Sequence, residues 1–281
     1  MRQPIVSVLD RLTEIIQNDN RILNVQIGLF RLEIADFSEK VFQEALLNAM
    51  SHRDYQSMSA VYVKHYPDKI VIENPGGFLD GITEKNIITH PSAPRNKLIA
   101  ETLQHLKYVQ RTGQGVDIIY REMVSMGKPY PEYHVFSDAV SLTLRSSVED
   151  MSFVKFVVAE QEKKQIILSL AELMILRYVT ENKQIKLSDA KDLVQLSLED
   201  TRKCCLNLVK LGLIETVGKE YMLTARVYEM VKSDVQYTRD KVVQYIKAEQ
   251  QARATIDKMR KENIIDMIGK GKSSKYVLVK S

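Results

Sequence analysis

Cysteine is scarce and poorly placed for chemistry. The chain has two, Cys204 and Cys205; they are neighbours inside a helical pattern, which suits neither a CxxC redox pair nor a zinc knuckle. The five histidines, His52, His65, His90, His105 and His134, show no HxxxH or H-E-x-x-H spacing, so no protein-built metal site is expected. No apolar run approaches the ~18 residues needed to span a bilayer, and a membrane role is not expected. The first nine residues, Met1 to Leu9, lack the long apolar core and small-residue cleavage site of a signal peptide, which makes the cytoplasm the expected location. A motor-type P-loop is also missing. The nearest approach to G-x-x-x-x-G-K-[S/T] is Gly271-Lys-Ser, with Asp266 where the first glycine belongs.

With 281 residues, 44% of them hydrophobic and 27% charged, the chain is long enough for two or three globular modules. The net charge of +4 is unevenly spread. Residues 1–150 hold 16 Lys+Arg against 19 Asp+Glu, a balance of −3; residues 151–238 hold 13 against 12, or +1; residues 239–281 hold 11 against 5, or +6. A basic end attracts polyanions.

Apolar residues at helical spacing over 5–17 predict a helix, and Ser38 before Glu39 predicts an N-capped second helix running to Met50. Two β-rich runs, 59–66 and 69–73, flank Pro67-Asp68 and read as a hairpin. Helices are expected from Lys97 to about Leu106 and from Thr112 through Met126, with a closing strand at 139–144. Beyond 148 the pattern becomes helix, helix, helix, hairpin: runs at about 160–181, 187–195 and 198–211 precede the glycine-bounded ribbon 212–224. A similar order recurs over 238–281, with a helix at 249–263.

Glu44 and Asn48 stand four apart, on one face of a helix, where they can hold a Mg²⁺ and orient a water. Downstream, Glu73-Asn-Pro-Gly-Gly77 puts polar groups and two glycines at a strand exit, where backbone can come close to a flat ligand. Arg111-Thr-Gly-Gln-Gly115 places Gly113 and Gly115 at a helix N-terminus, whose free amides and dipole favour phosphate.

The blocks Glu44–Tyr55, Glu73–Gly77, Ser92-Ala-Pro-Arg-Asn96, Arg111–Gly115 and Met126-Gly-Lys-Pro-Tyr-Pro-Glu132, spread over about 35–145, resemble the C-terminal ATPase-like domain of the transcriptional regulators described as related to the ATP-dependent DNA helicase RecG. That domain in turn resembles the GHKL ATPases. The resemblance implies an α+β fold class: a Bergerat-type α/β sandwich over 1–148, followed by two α-rich winged-helix domains at 149–233 and 234–281. It implies ATP and Mg²⁺ as ligands, with Glu44 as the water-activating base and Asn48 as the Mg²⁺ ligand. Asn74 or Glu73 would stand in for the adenine-reading aspartate, with Gly76 and Gly77 beside the base and Gly113 and Gly115 at the phosphates. Arg95 or Arg111 would add charge there. Because Asn or Glu replaces Asp, slow turnover or binding without hydrolysis is an alternative, as is a scaffold that has lost its ligand.

In a winged helix the third helix enters the major groove. On 198–211, Leu198, Cys205, Leu208 and Val209 are expected inside and Lys203, Asn207 and Lys210 outside. In the second copy Arg253, Arg260 and Lys261 are expected to face DNA, with Lys270, Lys272 and Lys275 on its wing. The expected partners are double-stranded DNA and a second copy of the chain, since operators are commonly symmetric.

Overall fold

The computed structural model describes residues 4–27, 30–91, 93–106, 108 and 115–232, together with three short strands at 237–238, 265–268 and 275–278. The chain divides into two compact units, Met1–Gln165 and Ile166–Ser281. Both mix helices with antiparallel sheets, so the fold is α+β.

In the first unit, α1 (Ile5–Asn18) buries Leu9 and Ile16 against α2 (Glu39–His52). Between them lies an antiparallel hairpin, β1 (Ile22–Ile27) and β2 (Phe30–Ala35). Asn20 pins its exit by accepting from the Phe37 amide and donating to the Phe37 carbonyl. Ser38 holds the N-cap position of α2 in an extended conformation, but its side chain caps nothing there; the hydroxyl reaches Glu122 instead, at 3.4 Å.

A four-stranded sheet in the order β3-β4-β6-β5 forms the floor of the unit: β3 (Tyr62–His65), β4 (Lys69–Pro75), β5 (Glu132–Val135) and β6 (Ala139–Arg145). The β3–β4 turn at Pro67-Asp68 closes through the Tyr66 amide and the Lys69 carbonyl. Alternation along β4 turns Ile70, Ile72 and Asn74 to one face, where Leu142 and Leu144 of β6 join them. Val41, Phe42, Ala45 and Leu46 of α2 cover that face together with Ile119 and Met123 of α4 (Gly115–Ser125). Fully burying each large side chain of this set contributes about 1.5–3 kcal/mol. A further helix, α3 (Lys97–His105), packs on α2 and buries Ala100 and Leu103.

Gly127, at φ +65°, ends α4 with no room for a side chain: an added Cβ would lie 2.7 Å from Val154 and 2.8 Å from the Asp150 carbonyl. That close approach docks α5 (Met151–Lys164) on the first unit, which therefore ends after Gln165 rather than near 148.

The second unit opens with α6 (Leu170–Asn182), whose N-terminus carries a capping box made by Ser169 and Glu172. The helical run expected over 160–181 is thus two helices, α5 and α6, parted by residues 165–169. Then come β7 (Gln184–Lys186), α7 (Leu187–Val194), α8 (Leu198–Lys210), the ribbon β8 (Ile214–Val217) and β9 (Glu220–Leu223), and α9 (Ala225–Lys232). The sheet order is β7-β9-β8, all antiparallel. The same order recurs in β10 (Tyr237–Thr238), β11 (Ile265–Ile268) and β12 (Lys275–Leu278), which pair as β10-β12-β11, again all antiparallel. Residues 187–213 separate β7 from β8 and residues 239–264 separate β10 from β11, so the two sheets repeat one topology at nearly one spacing. The helix expected at 249–263 lies outside the described residues. No helix among the described residues is long and apolar enough to cross a membrane.

Candidate functional site

The i, i+4 spacing on α2 puts Glu44 and Asn48 side by side toward α4, and Gly115 at the start of α4 meets them. A Cβ added at Gly115 would lie 2.8 Å from Asn48 Nδ2, 3.0 Å from Asn48 Oδ1 and 3.0 Å from Glu44 Oε2. Only a bare backbone lets the helix N-terminus come this close. Burial raises the Glu44 pKa above the ordinary carboxylate range. Asn48 Nδ2 is buried without a hydrogen-bond partner, a cost of order 1–3 kcal/mol.

Asn74 leaves β4 on the same side. It is 8% exposed, and its Oδ1 is likewise buried and unpartnered. Glu73, one residue earlier, points to the opposite face by strand alternation and pairs with Lys64 at 2.6 Å. Of the two candidates for reading a base, only Asn74 lies on the cavity. Gly76 follows at φ +100°, where an added Cβ would sit 3.0 Å from Asp54 Cβ and 3.3 Å from Arg95.

Arg95 is a strut in this structure. Its Nε donates to the His52 carbonyl at 3.1 Å and its Nη2 to the Gly77 carbonyl at 2.8 Å. Asn96 donates to the Ser51 and Arg53 carbonyls. The two residues together satisfy the Ser51, His52 and Arg53 carbonyls at the end of α2, and Arg95 ties that end to the glycine turn.

Asn48, Asn74, Gly76, Gly77 and Gly115 converge on one cavity of about 160 Å³, against roughly 10–15 Å³ for a single water, so it has room for an organic ligand. Glu44 stands behind it, against Gly115. Arg111 and Gly113 lie outside the described residues. The sequence reading missed His52, Tyr133 and Asp117 on the walls and the roof of Leu79, Ile82, Ile87 and Ile88. The roof loop is folded on Asn86, which accepts from the Thr83 amide and donates to the Gly81 carbonyl, both at 2.7 Å. Nothing in the sequence marks Asn86 for that role, but the apolar residues recurring between Gly77 and Pro91 are a readable sign of a covered hollow. Burial, then Arg95, lowers the His52 pKa and keeps its imidazole neutral. Among the described residues no group of three or more His, Cys, Asp or Glu is arranged to hold a metal ion. The paired Glu44 carboxylate and Asn48 carboxamide fit a Mg²⁺ held mainly by a ligand's own oxygens.

On α8 the buried stripe is Thr201, Cys205 and Leu208. Leu198, expected inside, is 48% exposed. Lys203 is outside but engaged by Glu199 and Asp200, each at 3.1 Å. Asn207 is exposed, as expected, and donates to Glu172 at 2.6 Å, which braces the start of α6. Exposed Leu198, Arg202, Leu206 and Lys210 form a stripe at i, i+4 spacing. Arg253, Arg260, Lys261, Lys270 and Lys272 lie outside the described residues; Lys275 begins β12, paired through its backbone with Ile268 and Thr238.

A crystal structure of the DIP2311 protein from Corynebacterium diphtheriae is similar in fold, with a TM-score of 0.69 and 21% identity over 81% of this chain and 48% of that one. The chain thus spans about half the length of the solved chain it matches. No curated protein matches it. The family match begins beyond α2, so it takes in Asn74, the glycine turn, Arg95 and Gly115 but leaves out Glu44 and Asn48. Residues 59–144 match the family described as "Putative ATP-dependent DNA helicase recG C-terminal", the ATPase-like domain that the sequence blocks resemble.

Proposed function

We propose that the chain is a cytoplasmic, homodimeric regulator in which a Bergerat-type ATP-binding module acts with winged helices that hold double-stranded DNA. The observation that carries the nucleotide half is the meeting of Asn48, Asn74, Gly76, Gly77 and Gly115 on one mainly apolar cavity, where each of the two asparagines has a buried amide atom without a hydrogen-bond partner. Helices over one face of an antiparallel sheet support the Bergerat reading. In it, the base lies against Asn74 and the glycine turn, and the phosphates lie toward the α4 N-terminus. Mg²⁺ held at Asn48 would neutralise charge on those phosphates. Glu44, behind Gly115 and raised in pKa by burial, would take the proton of an attacking water that reaches it.

A second reading, binding with slow or no turnover, is favoured by the wall itself: Asp117 lines it, and no Lys or Arg does so among the described residues. Calorimetry of the full chain with ATP and ADP tests binding; a flat titration removes the nucleotide half. Equal Mg²⁺-ATP turnover in wild type and Glu44→Ala would dispose of Glu44 as the base.

The DNA half is supported by the order α6, β7, α7, α8, β8, β9 and by the basic excess of 239–281. It predicts fluorescence-anisotropy binding to duplex DNA that weakens steeply with salt. No response up to micromolar protein would remove it.

A further inference from the structure

Asn74 is a carboxamide at a point where a carboxylate would impose one sense of hydrogen bonding. Its place is closely determined: β4 pairs it with Val140, its side is shared with Leu142, and it is buried, lines the cavity and has an Oδ1 without a hydrogen-bond partner. Strand alternation has sent the neighbouring carboxylate, Glu73, to Lys64 on the other face. Gly76 and Gly77 add no side chains, and Tyr133, Phe78 and Leu142 make the nearby walls flat and apolar. Asp117 lines the cavity from the first turn of α4, where it pairs with Arg121.

A carboxylate can only accept from a ring edge. A carboxamide offers an acceptor and a donor side by side, and half a turn about its last torsion exchanges them. Adenine presents an exocyclic N–H donor next to the acceptor N1. Hypoxanthine and guanine present the reverse order, an O6 acceptor next to an N1–H donor. A single carboxamide can therefore match either edge with two hydrogen bonds, in opposite flips.

We propose that Asn74 reads the six-position edge of a purine in both senses, so that the cavity accepts 6-amino and 6-oxo purine nucleotides alike. The inference rests on the nucleotide reading above and adds the ligand class to it. His52 on the same wall does not restore a preference, because a neutral imidazole also carries one donor and one acceptor.

The test is calorimetry of the full-length chain with ATP, ITP and purine riboside triphosphate, which has neither an amino nor an oxo group at position 6. ATP and ITP are expected to bind within about threefold of one another, and purine riboside triphosphate about tenfold or more weakly, because it leaves half of the amide unpaired. Asn74→Asp, its folding checked by thermal melting, is expected to favour ATP over ITP by about tenfold or more. A wild-type preference of about tenfold or more in either direction overturns the two-way reading and leaves the nucleotide site standing. Binding of none of the three overturns both. The wild-type comparison decides even if the variant does not fold.

Discussion

The desolvation that raises the Glu44 pKa also makes its ionised form unfavourable to fold around. A carboxyl whose folded pKa lies above its unfolded one holds its proton longer in the native state, so its contribution to stability falls as pH rises through that window. Glu44→Gln keeps the shape and removes the charge. The variant is expected to melt higher than wild type at pH 7 and to lose that advantage toward pH 4; a lower melting temperature at pH 7 would contradict the burial argument. Lys128 has the complementary sign. It is 1% exposed, it donates to the Ala35 and Asp36 carbonyls, and burial pushes its pKa down to about 8. Between pH 8 and the ordinary lysine range, the unfolded chain binds a proton that the folded one does not, so this residue makes stability rise with pH there. Lys128→Ala strips two part-buried carbonyls of their donor and should cost about 2–4 kcal/mol by chemical denaturation. Nothing in the sequence marks Lys128 as buried, since a lysine between Gly127 and Pro129 reads as a solvated turn residue. Asn48 and Asn74 were legible, because helical spacing and strand exit are local properties.

At the scale of elements, the approach of α4 to α2 is limited by one hydrogen atom. Gly115→Ala brings a methyl group within 3.0 Å of Glu44 and Asn48, so either α4 retreats or the pair turns away. The variant is expected to lose most ATP binding by calorimetry while shifting the melting temperature by only a few degrees, since about 1–3 kcal/mol is typical of such overpacking. Retained affinity would mean that this pair does not face the ligand. On α8 the structure redistributes the expected roles. Arg202→Ala and Lys210→Ala should weaken duplex binding, Lys203→Ala should do so less because Glu199 and Asp200 already engage that charge, and Asn207→Ala should act mainly on stability through Glu172. Equal losses of affinity at Lys203 and Arg202 would sink this order. The sequence misplaced Leu198 because a helical stripe can be drawn with more than one phase, and only packing against α6 and α7 selects Thr201, Cys205 and Leu208. The hairpin β1–β2 and strand β5 went unread because strands of four to six residues carry little signal apart from their partners.

Across the whole molecule, charge is divided between the ends of the chain: residues 1–150 are net acidic and residues 239–281 strongly basic. Phosphate contacts from the second unit would each contribute about 0.9 to the slope of log affinity against log salt. Lys270→Gln with Lys272→Gln is therefore expected to flatten the slope by about 2 without changing ATP binding. The proposal that nucleotide governs DNA makes a stricter demand. If ATP changes duplex affinity by some factor, duplex must change ATP affinity by the same factor, because both are one coupling free energy measured from two ends. A coupling of about 5–150-fold is the usual range, and anisotropy with saturating ATP together with calorimetry in saturating duplex measures both arms. Equal factors above unity in both experiments are expected of a nucleotide-governed regulator. A factor of one in both would mean that the cavity and the DNA-binding unit share a chain without sharing a function, and Asn74 variants would then alter nucleotide affinity while leaving duplex affinity untouched.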